Sequence, residues 1–164
     1  MPQEIERKFL VANDGWRANA DRGRQFRQAY LAETDRAAIR VRIIDGASAV
    51  FTIKSAKSGL SRQEFEYPLP LADAEDLTEL RQGSVLQKTR FHAPHAGRTW
   101  EVDVYSGDNA GLVIAEIELD SEDAAVELPP WIGREITGEA RYYASRLSAR
   151  PFRSWDDAER NGGA

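Results

Sequence analysis

The sequence predicts a mainly β (α+β) protein: eight antiparallel strands closed into a barrel with a charged lumen, plus a few peripheral helices, including one near the C-terminus. Three observations predict it. Segment after segment alternates apolar and polar residues with the two-residue period of a strand. Short turn signals separate most of these segments. Within each segment the charged residues recur at i and i+2, so each strand has one apolar face and one charged face.

Residues 4–11, EIERKFLV, open the series: Glu4, Glu6 and Lys8 share one face, with Ile5 and Phe9 opposite. A polar stretch at 13–21 reads as a short helix. Strands follow at 24–32, 36–44 and 48–55, the last two joined by the turn signal Asp45-Gly46-Ala47. After a Ser58-Gly59 turn comes a strand at 61–69, where Arg62, Glu64 and Glu66 share a face. Residues 71–83 read as a helix, with Leu77 and Leu80 at helical spacing, acids in the first turns and Gly83 as its stop. Strands at 84–92, 98–105 and 111–120 complete the set. A short helix capped by Ser121 is expected over 121–128, ended by Pro129-Pro130, and another over 138–148. The domain is drawn as 1–150, with 151–164 as a tail whose last ten residues fray.

The charges are sorted by strand. Arg40 and Arg42 form a basic pair, as do Lys88 and Arg90, and Lys54 shares a face with Thr52. Glu64 and Glu66, Glu101 and Asp103, and Glu116 and Glu118 form acidic pairs. A single strand of this kind fits a sheet with one wet side. A whole series does not, because like charges about 6.6 Å apart repel by about 2.5 kcal/mol at an effective dielectric of ~20. Such files are tolerable where they converge on something that neutralises them. Acids suit divalent cations with oxygen ligands, and bases suit a polyanion such as a phosphate chain. A closed barrel with the charges inside brings both together.

Composition narrows the class. A 164-residue chain with 41% hydrophobic and 30% charged residues is enough for one globular domain. The net charge of −5 argues against general nucleic-acid binding, and the absence of cysteine removes disulfides, thiolate metal sites and a thiol nucleophile. With neither an apolar leader nor a run long enough to span a bilayer, a soluble cytoplasmic protein without membrane contact is expected. His92 and His95 form an H-x-x-H in a Pro/Gly-containing turn without an evident third ligand, and the four tryptophans read as packing residues. Tyr30, and also Tyr142 and Tyr143, could line the lumen, whereas Lys57 reads as solvated.

Taken in order, EIERKFLV, QAYL, RVR, TIK, EFE, KTR, WEVDVY, EIEL and EITGEARYY resemble the CYTH domain, that is, the triphosphate tunnel metalloenzyme superfamily. The resemblance covers almost the whole chain. It implies an eight-stranded tunnel that binds a triphosphate together with Mg²⁺ or Mn²⁺, two ions during turnover. Glu4, Glu6, Glu116 and Glu118 would be the metal ligands. Lys8, Arg40, Arg42, Lys54, Lys88 and Arg90 would hold phosphate oxygens, joined by Arg134 and Arg141 at the closing segment. Glu64, Glu66, Glu101 and Asp103 would supply a second metal site or orient the attacking water, with Lys8 bridging metal and phosphates. One departure stands out: Glu139-Ala140 occupies a place where relatives often carry Asp-Lys.

The expected activity is hydrolysis of inorganic triphosphate to diphosphate and phosphate. The alternatives are a class IV adenylyl cyclase, a thiamine or nucleoside triphosphatase, and a non-catalytic polyphosphate-binding module. The expected partner is a small-molecule triphosphate, and barrel faces left uncovered by helices could pair into a homodimer.

Overall fold

The computed structural model describes residues 3–56 and 60–163. The strands are β1 (Gln3–Val11), β2 (Arg24–Glu33), β3 (Ala37–Ile44), β4 (Ser48–Ser55), β5 (Ser61–Leu69), β6 (Gln82–His95), β7 (Arg98–Ser106), β8 (Val113–Glu118) and β9 (Ile132–Glu135). Helix α1 spans Leu71–Thr78, α2 Ala144–Ala149 and α3 Asp157–Arg160. The strand order is β5-β4-β3-β2-β6-β7-β8-β1-β9, and β5 also pairs with β1. That pairing closes eight antiparallel strands into a ring, with β9 as an addition. Strand β1 is the hub. One of its edges pairs with β8, while the other meets β5 at Gln3–Ile5 and then β9 from Phe9 to Val11.

The register sets which side chains face inward. Lys8 lies opposite Glu116, Glu116 opposite Glu101, Arg90 opposite Asp103, and Lys54 opposite Glu64. Because side chains alternate, the charged files all enter the lumen and the apolar files face out. The exterior is then covered in pieces. Helix α1 packs Ala74 on Val41, Ile43 and Ala49. A 3-10 turn at Asp14–Asn19, capped by Asn13, brings Trp16 onto a cluster with Phe9, Trp100, Ile117 and Trp131.

The C-terminal segment covers part of one barrel end. Tyr142, Leu147, Phe152 and Trp155 form one cluster with Tyr30, Leu86, Tyr105 and Ile114, which are lumen-face residues of β2, β6, β7 and β8 at that end. The stretch after 155, expected to fray, instead starts from the buried Trp155 and forms α3 through a capping box of Asp156 and Glu159. Glu159 also holds Arg150 through two hydrogen bonds of 2.7 Å.

Several local expectations differ. No helix forms over 121–128: Ser121 donates to the Asp123 side chain rather than capping a backbone amide. Ala124 and Val126 pack against the Trp100 cluster at strand-like spacing, and a helix this short has little stability of its own. The 71–83 helix stops at Thr78, whose hydroxyl donates back to the Ala74 carbonyl, and Leu80 is exposed. Gly83 lies inside β6 with φ +64. The 138–148 helix is a 3-10 turn at Ala140–Tyr142 followed by α2. His95 belongs to a β6 longer than expected, and the turn is Ala96-Gly97, both with positive φ. Lys57 and the Ser58-Gly59 turn lie outside the described residues. Among the described residues, no helix is long and apolar enough to cross a membrane.

Candidate active site

The lumen is a cavity of about 830 Å³. Its walls are of opposite sign because of the strand order. Strands β1, β5, β7 and β8 contribute Glu4, Glu6, Glu64, Glu66, Glu101, Glu116 and Glu118, while β3, β4 and β6 contribute Arg40, Arg42, Lys54, Lys88 and Arg90. Lys8 and Arg62 are exceptions, cations on the acidic wall. Lys8 Nζ lies 3.6 Å from Glu6 and 3.4 Å from Glu116.

Asp103, expected among the lining acids, stands behind the wall. It is fully buried and accepts from Lys88 Nζ at 2.6 Å and from Arg90 at 2.7 and 2.8 Å. It therefore fixes two cations of the opposite wall. Arg90 also pairs with Glu101 and reaches Glu116 at 3.5 Å.

Lys54 pairs with Glu4 and Glu64, but Arg40 and Arg42 have no such support. Among the described residues, neither Arg40 nor Arg42 has a carboxylate within ion-pair distance. Arg40 donates to Thr52 at 3.3 Å, and its buried Nε has no partner. Arg42 Nε donates to Gln28 at 2.6 Å, and its guanidinium lies 4.5 Å from the centroid of the Phe26 ring.

Titration behaviour follows this division. Burial, reinforced by Arg40 and Arg90, pulls Arg42 down to about 9, so it remains a cation at neutral pH. Burial also pulls Lys88 down, to about 7, with Asp103 opposing and Arg90 and Arg42 adding to the shift. On the acidic wall, burial and then Glu116 raise Glu6. Burial, followed by Glu4, Glu101 and Glu64, raises Glu118. Burial acts to raise Glu116 too, but Lys8, Arg90 and Lys88 outweigh it and hold that carboxyl well below the usual range.

Among the described residues, no three acids are grouped closely enough to enclose an ion as they stand. Glu4, Glu6 and Glu116 are partnered by lysine and arginine instead. The donor set nevertheless fits a hard divalent cation: Glu4, Glu6, Glu116 and Glu118 supply only carboxylate oxygens, and Glu6 and Glu118 are crowded by like charge that a cation would relieve.

Arg134 and Arg141, assigned to phosphate from the sequence, are not among the residues lining the cavity. Arg134 pairs with Glu139, while Arg141 donates to the Gly163 carbonyl and lies over Tyr142 and Trp155, tying down the chain end. Conversely, Arg62 lines the cavity and reaches Glu4 at 3.1 Å and Glu6 at 3.8 Å. The signal for it was its place at i−2 from Glu64. Tyr30 and Tyr143 line the cavity too, Tyr143 with its ring centroid 6.0 Å from Lys8 Nζ, whereas Tyr142 is packed in the C-terminal cluster.

Comparison with known proteins matches the CYTH domain over residues 2–149. An inorganic triphosphatase of Acetivibrio thermocellus is 40% identical over 158 residues, covering 96% of this chain and all of that protein. One from Nitrosomonas europaea is 39% identical over 151 residues, covering 88% of this chain and 96% of its own. A solved inorganic triphosphatase structure superimposes with a TM-score of 0.65 at 35% identity, covering 88% of this chain and 97% of that one.

Proposed function

Because this chain belongs to the CYTH domain family, we propose that it is a metal-dependent triphosphatase hydrolysing inorganic triphosphate to diphosphate and phosphate. The carrying observation is the pair of buried Arg40 and half-buried Arg42, two guanidiniums without an acid partner among the described residues, facing a wall of carboxylates. Two such cations in one cavity call for a polyanion, and the opposite acids call for metal. The inorganic triphosphatases it resembles at about 40% identity support the substrate.

On this reading Arg40, Arg42, Lys88 and Arg90 grip the phosphate chain and absorb charge as the leaving diphosphate forms. Asp103 positions Lys88 and Arg90; with two cations on it, it is a poor base. Lys8, between Glu6 and Glu116, donates from the acidic wall toward the phosphates. Glu4, Glu6, Glu116 and Glu118 would hold Mg²⁺ or Mn²⁺, which when bound supplies Lewis-acid charge and acidifies a water. Glu64, Glu66 and Glu101, which line the same cavity, would orient the attacking water or hold a second ion.

The test is a substrate panel of triphosphate, ATP and thiamine triphosphate with Mg²⁺ and Mn²⁺, following orthophosphate, diphosphate and cyclic AMP. Triphosphate should be cleaved fastest, with equal phosphate and diphosphate released and nothing turned over in EDTA. Cyclic AMP from ATP as the main product, or triphosphate binding without turnover in either metal, would overturn the assignment.

A further inference from the structure

The acids of β1 already carry a cation supplied by the chain itself. Arg62 lies directly across the β1–β5 seam from Glu4. Its guanidinium reaches both proposed metal ligands of β1, with Nε 3.1 Å from Glu4 and a terminal nitrogen 3.8 Å from Glu6. Lys54 completes the cover on Glu4, with Nζ 3.0 and 3.1 Å from its two oxygens. Carboxylate lone pairs engaged by a guanidinium are not available to a metal ion, so an incoming ion must break these contacts.

The arrangement differs from that of Lys88, Arg90 and Lys8. Lys88 and Arg90 are fixed from behind by the buried Asp103. Lys8 is bracketed by Glu6 and Glu116. Among the described residues Arg62 has no such anchor: its ion pairs are with Glu4 and Glu6. Its long stem lets the head swing into the cavity once the acids are taken.

We propose that Arg62 is a built-in competitor for the divalent cation: metal entry exchanges it off Glu4 and Glu6, and the freed guanidinium then pairs with the incoming phosphate oxygens. The inference rests on the reading that Glu4 and Glu6 are metal ligands. Two effects follow. Metal binding alone is weakened by the need to displace Arg62, and metal and triphosphate each favour the other's binding by the same factor.

The experiment titrates MnCl₂ alone into apo protein by calorimetry, comparing wild type with Arg62→Gln and Arg62→Lys after confirming that their unfolding midpoints are measurable. Arg62→Gln should bind Mn²⁺ roughly tenfold or more tightly than wild type, in line with the worth of a hydrogen bond between charged groups. Arg62→Lys should fall between, and it decides the matter if the glutamine variant fails to fold. Unchanged or weaker Mn²⁺ affinity in a folded variant would overturn the role of Arg62 while leaving the metal site intact. A wild-type Mn²⁺ affinity that survives Glu4→Gln and Glu6→Gln unaltered would instead overturn the metal-site reading, and the exchange with it.

Discussion

Arg42 shows what a functional residue costs its own fold. It has no carboxylate partner among the described residues, and burial together with Arg40 and Arg90 disfavours its charge. A side chain kept against that penalty is kept for something it binds. Arg42→Met preserves volume and the contact with Phe26 while removing the charge, so it should raise the unfolding free energy by about 1 kcal/mol. Triphosphate turnover should fall by roughly 10²–10³-fold, the worth of one preorganised charge-stabilising donor. Thermal melts and phosphate release on the same preparation check both halves; a destabilised variant with normal turnover would contradict them. The inward direction of Arg42 was legible in the sequence, since alternation alone puts it with Arg40. The burial of Asp103 behind Lys88 and Arg90 was not, because alternation gives the face of a side chain but not its depth.

The strands of the ring were legible in place and, within a few residues, in extent, whereas the helical segments at 13–21, 71–83 and 138–148 were legible in place only and the one at 121–128 is absent. The reason is physical. A strand of this closed barrel repeats its inward and outward pattern over six to fourteen residues, so local sequence and tertiary environment agree. The short helical pieces are set by what they pack on. Residues 121–128 have a helical composition, yet after a turn at Ser121 the chain runs irregularly and packs Ala124 and Val126 onto the Trp100 cluster. Gly83 reads as a helix stop, but it lies in β6 where a Cβ would stand 2.5 Å from the Ser148 carbonyl oxygen and 2.7 Å from its hydroxyl. That hydroxyl donates to the Gln82 and Ser84 carbonyls at 3.1 Å, so Gly83 is the seat on which α2 docks. Gly83→Ala adds overpacking against that backbone to the left-handed strain, together about 4 kcal/mol, and should therefore lower the melting temperature by roughly 8–16 °C at this chain length. It should also raise KM, since the same segment carries Tyr143 and Arg146 into the cavity wall. Gly46→Ala, at a similar φ of +64 but with open space around it, is the control and should cost only about 1–2 kcal/mol of backbone strain.

At the scale of the molecule, the ring is not equally strong all round. Strands β6 and β7 pair from Gln87–Ser106 to His95–Arg98, whereas among the described residues β1 and β5 meet only at Gln3, Glu4 and Ile5. Local opening should follow that difference. Hydrogen exchange read by mass spectrometry should show peptides across residues 3–5 and 61–63 exchanging well before those of β6 and β7; uniform protection around the ring would refute this. Closure has a further consequence. Every strand of the ring has both neighbours, and β9 at the end of the order is four residues long and carries Arg134 and Glu135. An edge so brief and so charged is a poor template for another polypeptide. A protein that turns its greasy side outward thus offers almost no open ladder on which amyloid could nucleate.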